Sequence, residues 1–400
     1  MPRSFVAVAL VLCAILLPIS IALSNIALGL VSVAVIIRLR RDGDRVVAAW
    51  RREPLMSALL LYAAAGLVAA LLSGAPAESQ RDAIKDLHRL WPLGITVAAL
   101  ALDPETPVGP ALGISFGAMA LYGIGQTAFG GRPEGVLVRA HGFVHPVVYG
   151  EMMALAVLGG ASALLRPRSR RARAAAAAFT IAAFAALILS GTRMALGGVL
   201  AGVALMALLE PRARRWVLPA LMAGAAAVAA WEFAPIGYRE RALSSVLKPG
   251  NIDGTSTRRI LWDVALKIFR DHPLTGAGPG GYRRLFPLYH PEAIDRQTSW
   301  ASAHNLYLHQ LAERGVLGGA VLFVLCALMI ARPVRAARRG GGTSALWTAG
   351  AVAAFLVMSL TETSFQNEQF GALLMLIWAW GTAILRAPDA VLSPRHGADD

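Results

Sequence analysis

The stretch Ser302-Ala-His304-Asn305-Leu-Tyr-Leu-His309-Gln-Leu-Ala-Glu313-Arg314-Gly315 holds the side chains best suited to acid–base chemistry. Its spacing predicts a helix capped by Ser302, with Leu308 and Leu311 turned inward. His304 would then lie in the first turn, where the positive helix end disfavours a second positive charge. A neutral imidazole is a competent general base. His309, five residues on, falls on a different face of such a helix. The competing reading is a structural His304 that caps a neighbouring loop.

Several cations accompany it. Arg193, in Ser190-Gly191-Thr192-Arg193, is the only charge between Ala174 and Leu209. It either snorkels to an interface or holds an anion. Arg258 and Arg259 follow Gly254-Thr255-Ser256-Thr257 and precede the amphipathic run Ile260, Leu261, Val264, Ala265 and Ile268. This predicts a Ser- or Thr-capped helix with both arginines in its first turn, where a bound anion would offset their conflict with the dipole. The glycines 276, 278, 280 and 281 read as a flexible turn, and without a GK[ST] frame they are no phosphate loop. Arg132, Arg139, His141 and His145-Pro146 lead to Glu151, an acid inside an apolar run and therefore a candidate for a role; it is the runner-up base. The His141/His145 pair lacks the Glu of a zinc motif and stops at proline. Arg81, Lys85 and His88, with Asp82 and Asp86 at i, i+3 from Lys85 and Arg89, read as a salt-bridged helix or as further substrate contacts. No loop on the same side offers paired acids for a divalent ion, so a bound anion would be held by arginine. Neither metal nor other cofactor is expected.

The elements that must position these residues are apolar. Hydrophobic residues make up 56% of the 400, charged ones only 16%, and mean hydropathy is +0.57. A soluble domain carries about 25% charge, so a cytosolic or secreted globular enzyme is excluded. Cys13 and Cys326 both lie in apolar runs and offer no disulfide framework. Windows of about 20 apolar residues give spans near 4–23, 25–38, 55–73, 87–102, 108–127, 146–164, 174–191, 194–210, 216–235, 315–331, 345–361 and 369–385. The first run is read as a retained helix rather than a signal peptide. The expected fold is an all-α polytopic membrane protein of about twelve transmembrane helices, with a mainly helical periplasmic subdomain between spans 9 and 10. Its parts are 1–235 with nine spans, 236–314 as the subdomain, 315–386 with three spans, and 387–400 as a cytoplasmic tail. Basic segments 38–52, 165–173, 210–216 and 332–339 fall on one side when twelve spans alternate, which makes that side the cytoplasm. The net charge of +14 is thereby sorted by side of the bilayer, and no nucleic-acid partner is expected. The cations of the opposite loop touch either anionic headgroups or an anionic ligand.

Gly191-Thr192-Arg193, Ser256-Thr257-Arg258-Arg259-Ile-Leu-Trp262, His272-Pro273-Leu-Thr-Gly276-Ala-Gly278 and His304-Asn305-Leu with Glu313-Arg314-Gly315, in that order, resemble the O-antigen ligase and polymerase superfamily. The resemblance covers about 190–320, and the Arg139 to His145-Pro146 segment adds to it. It implies transfer of a glycan from undecaprenyl pyrophosphate in the periplasm, without nucleotide or metal. It further implies that His304 matches the family's essential histidine, and that Arg193 and Arg258 or Arg259 match its essential arginines. The spacing to Trp262 favours Arg258. Arg259, Arg139, His145, Glu151, Arg81 and Lys85 are expected to contact substrate. The layout of spans resembles the ligases, with lipid A–core as acceptor and the inner membrane as location. The polymerases are the alternative within the family. A twelve-span transporter or flippase is the alternative outside it, but the internal repeat it would predict is missing.

Overall fold

The computed structural model describes residues 4–85, 89–130, 139–167, 169–211, 254–292, 294 and 299–386. The regular elements among these residues are all helices, with no strand. The helices are α1 (Phe5–Leu16), α2 (Ile21–Arg51), α3 (Pro54–Leu71), α4 (Pro76–Ile84), α5 (Leu90–Leu102), α6 (Val108–Phe129), α7 (Pro146–Leu165), α8 (Arg170–Ser190), α9 (Arg193–Leu209), α10 (Gly254–Asp271), α11 (Gly281–Tyr289), α12 (Leu306–Arg338), α13 (Gly342–Met358) and α14 (Glu368–Gly381). Six of them, α2, α3, α6, α7, α8 and α12, are long and apolar enough to cross a membrane. Helices α1, α5, α9 and α13 are apolar but shorter. The count of twelve spans is therefore not reached among the described residues, and the span expected at 216–235 lies outside them.

Helix starts follow local chemistry. Asn305 and Asn367 cap α12 and α14 by accepting from Leu308 N–H at 3.0 Å and Phe370 N–H at 2.9 Å. Pro54 and Pro146 occupy first-turn positions, where their missing N–H costs no hydrogen bond. At the end of α8, Gly191 adopts φ +67°, the left-handed stop that glycine permits.

Lipid-facing apolar surface gives helices little reason to associate, so small residues that allow close approach do much of that work. Gly198 and Gly202, one turn apart on α9, press on α13: a Cβ at Gly202 would lie 2.7 Å from the Gly350 carbonyl oxygen. Helix α7 is buried along most of its length. A second, smaller core joins Leu261, Val264 and Ile268 of α10 to Tyr282 and Phe286 of α11 and Ala312 of α12.

Four local expectations need correction. The basic segment 38–52, expected between two spans, is instead helical: α2 runs through it to Arg51, with a kink where Asp42 leaves helical geometry and pairs with Arg38 at 2.8 Å. Helix α10 already begins at Gly254, so Arg258 and Arg259 lie a turn beyond the helix start rather than in its first turn. The glycines 276–281 form a packed crossing rather than a flexible turn. Gly276 has φ +68°, a Cβ there would lie 2.2 Å from the Glu313 carbonyl carbon, and Ala277 N–H donates to Ala312 C=O at 2.9 Å. Finally, α12 starts at Leu306, not after Ser302, because Asn305 supplies the cap and His304 has φ +46°. The dipole argument for His304 falls with that change, since the ring precedes the helix.

Candidate active site

The start of α7, the first half of α10, the segment 300–304 and the linker between α13 and α14 surround a cavity of about 580 Å³. Its acid–base groups are His145, Glu151, Arg258, His304 and Glu362. Leu306 N–H donates to Ser359 C=O at 2.9 Å, fastening the start of α12 to the end of α13 and so setting His304 beside Glu362. The hydroxyl of Thr363 donates to that of Ser302 at 3.2 Å on the same seam.

Glu362 is the hub. It is buried, and its two oxygens face different cations. Oε1 pairs with Arg258 Nη2 at 2.6 Å, and Oε2 faces His304 Nδ1 at 3.0 Å. A nitrogen opposite a carboxylate carries the proton, which leaves the lone pair on Nε2. Trp300 meets the imidazole edge-on, with ring centroids 6.1 Å apart. Glu151 is fully buried. It accepts a hydrogen bond from Ser364 on Oε1, while Oε2 has no partner among the described residues. No cation pairs with it among the described residues, and burying a charge without a partner is costly.

His145 is the N-cap of α7, and its Nδ1 accepts from Val147 N–H at 3.3 Å. Partial burial and the nearby Arg139 guanidinium hold its ring below the ordinary histidine range, in keeping with a nitrogen that accepts. Arg139 donates from Nε to Ser190 C=O at 2.6 Å, and Thr192 donates its hydroxyl to Pro146 C=O at 3.2 Å. These two bonds bring the Gly191-Thr192-Arg193 turn beside His145. Arg193 itself is exposed at the first position of α9 and is not a wall residue of the cavity. Arg259 is exposed, whereas Arg258 turns inward.

The structure separates the remaining candidates. Lys85 is paired with Asp82 and lines an adjoining cavity of about 280 Å³, which shares Ala301, Gln366 and Asn367 with the first. Arg81 is exposed on α4, and His88 lies outside the described residues. His309 is buried, with Nε2 3.5 Å from Glu313 Oε2, in the wall of the adjoining cavity rather than beside His304. Among the described residues no three His, Cys, Asp or Glu side chains converge as a metal site. Sequence reasoning missed Glu362. Its only signal was position, a lone acid in the short polar stretch Thr361-Glu362-Thr363-Ser364 between two apolar runs.

The fold and the site define an all-helical membrane protein with an acid–base cavity where several helix ends meet. Residues 177–323 match the family model described as O-antigen ligase, Wzy_C, so that stretch of the chain is similar to the O-antigen ligases. The match contains Arg193, Arg258, Arg259 and His304, whereas Glu362, Glu151, His145 and Arg139 lie beyond its ends. No curated protein matches the chain.

Proposed function

We propose that the protein is an inverting glycosyltransferase that moves O-antigen glycan from undecaprenyl pyrophosphate to a sugar hydroxyl of lipid A–core. The reaction would take place at the periplasmic face of the bacterial inner membrane, with no metal, nucleotide or other cofactor. The observation that carries this reading is the single carboxylate, Glu362, holding a histidine on one oxygen and an arginine on the other. That places a proton acceptor and an anion binder in one cavity of about 580 Å³.

In the proposed step the acceptor hydroxyl oxygen forms a bond to the anomeric carbon from the face opposite the pyrophosphate. Its proton passes to His304 Nε2, and the bond from the anomeric carbon to the pyrophosphate oxygen breaks with its electron pair. The products are the glycosylated acceptor and undecaprenyl pyrophosphate. A positioned base contributes about 10²–10⁴-fold to such a step. The leaving pyrophosphate gains charge, which Arg258 and, from the rim, Arg193 would stabilise through bidentate N–H···O bonds. Arg259, Arg139, His145, Glu151, Arg81 and Lys85 are the proposed substrate contacts, with Lys85 serving the adjoining cavity.

The sidedness is also a proposal. Helices α7, α9, α12 and α14 start at or beside the cavity and run away from it, ending near Arg166, Glu210, Arg338 and Arg386. Arg166, Arg170, Arg171 and Arg173, and Arg332, Arg335, Arg338 and Arg339, lie at helix ends remote from His304, which supports a cavity on the side opposite the cytoplasm. The chain would carry nine spans in 1–235, the periplasmic subdomain in 236–314, and three spans in 315–386 before a cytoplasmic tail.

The test uses purified protein in detergent with both lipid substrates. It should form product with EDTA present and no ATP, and a strict need for added Mg²⁺ or Mn²⁺ would remove the metal-free mechanism. In a deletion strain, full-length glycan left on undecaprenyl pyrophosphate marks a ligase. Core bearing a single repeat unit marks a polymerase instead.

A further inference from the structure

Glu362 has a geometry that a simple anchor would not need. One oxygen would suffice to hold Arg258, yet the carboxylate is divided between a guanidinium at 2.6 Å and an imidazole nitrogen at 3.0 Å. Its side chain is 11% exposed, whereas those of Arg258 and His304 are 36% and 37% exposed. Arg258 spends one Nη on Glu362, and a guanidinium has five N–H donors, so it can add a second anion without leaving the first. Glu362 itself comes from the linker between α13 and α14, outside the stretch that matches the family model.

We infer that Glu362 is a positioning residue that links the donor to the base: it holds His304 with Nδ1 protonated and Nε2 free, and it shares Arg258 with the incoming pyrophosphate. The inference rests on the transfer reaction proposed above. When pyrophosphate oxygens draw on the Arg258 charge, less of that charge is left to offset Glu362. The carboxylate then acts more fully on His304, and proton uptake by Nε2 becomes easier in the loaded site than in the empty one. This is a coupling of two neighbouring sites through one shared group. No residue has to move. Other groups also face this pair. His145 with Arg139 behind it lies across the cavity, Glu151 lies on α7, and buried His309 lies further along α12. They stay unchanged in the variants below, so differences between those variants report on Glu362.

The decisive comparison is Glu362→Gln in the full-length purified protein. Gln keeps the shape and a hydrogen-bonding oxygen but removes the charge. In a catalytic triad, removing the carboxylate that orients the histidine costs about 10⁴-fold, and here kcat is expected to fall by on the order of 10² or more. Donor KM should stay level or decrease, because an anion has left the pyrophosphate site and Arg258 is released to it. The split between a lowered kcat and a level or decreased donor KM is the readout that mere loss of packing would not give. Glu362→Asp keeps the charge one methylene further back and should recover at least about tenfold over Gln, as expected where charge rather than packing matters. Adding Glu362→Gln to His304→Ala should cost almost nothing further, because a positioning residue has no effect once its histidine is gone.

Each contrary result has a distinct meaning. A Glu362→Gln enzyme with native kcat, alongside an inactive His304→Gln enzyme, overturns the inference and leaves the transfer reading intact. Loss of donor binding in step with kcat also overturns it, because Glu362 would then only hold the site together. Wild-type protein that makes no glycan product, or an active His304→Gln enzyme, removes the reaction reading instead.

Discussion

Arg258 and Arg259 are adjacent in sequence and opposite in environment, because successive helical residues point about 100° apart. Arg258 meets Glu362 and the cavity, while Arg259 is exposed. Lysine preserves the charge at either position but not the planar fork that can bind pyrophosphate oxygens in pairs. Arg258→Lys should therefore lose on the order of 10²–10³ in kcat, while Arg259→Lys, which keeps the charge of an exposed substrate contact, should lose clearly less. Steady-state transfer from lipid-linked donor measures both. Equal losses would mean that the two arginines share the anion. The doubled arginine left its inward member open at the level of sequence, with the spacing to Trp262 as the only guide. Glu362 was harder to see, since nothing in its own neighbourhood says that residues 58 and 104 positions upstream will meet it.

At the scale of elements, the site depends on where α12 begins and where it bends. Asn305 caps the helix and leaves His304 outside it, and at Gly315 the helix breaks with φ +59° and ψ −161°. That backbone region is essentially restricted to glycine. A Cβ at Gly315 would also lie 2.4 Å from the Leu274 carbonyl, where the backbone between α10 and α11 crosses. Gly340, between α12 and α13, has φ +82° as well but nothing within 4 Å of an added Cβ. Gly340→Ala should cost about 1–2 kcal/mol, the left-handed penalty alone. Gly315→Ala should cost clearly more, as strain and collision add, and it should weaken the seam between the small core and the membrane helices. Thermal unfolding of both variants in the same detergent tests this, and equal melting temperatures would mean that the crossing relaxes freely.

For the whole molecule, polar bonds tie the end remote from the cavity. Buried Glu53, at the junction of α2 and α3, pairs with Arg386 Nη1 at 2.7 Å and lies 3.5 Å from Arg332 Nη2, while Arg166 pairs with Glu210 at 2.8 Å. The Glu53 cluster joins three distant parts of the chain. Burial works against the charge on Arg386, and the neighbouring carboxylate offsets it. Removing one partner of a buried ion pair leaves the other uncompensated, at a cost of about 3–5 kcal/mol. Glu53→Gln should lower the melting temperature strongly, while the folded fraction should transfer glycan with an unchanged kcat, since the cavity lies at the other end. A fall in kcat per folded molecule would mean that the two ends are coupled.

The apolar helices, their approximate ends and the residue types of the site were legible in the sequence. Membrane-length apolar runs, proline and asparagine at helix starts and glycine at helix stops are local signals, each read within a few residues. The pairing of Glu362 with both His304 and Arg258, the inward turn of Arg258 and the separation of His309 from the cavity depend on which helices pack together. That packing is set by small residues such as Gly202 against Gly350, 148 positions apart. His304 shows the division most clearly. Its identity marked it as a candidate base from the start, but its charged neighbour is a carboxylate brought in by tertiary contact, not the helix dipole that its sequence context suggested. A dipole argument needs only the local helix boundary, and here the cap is Asn305, three residues beyond Ser302. A charge pair needs two segments brought within 3.0 Å, and only the folded chain supplies that distance.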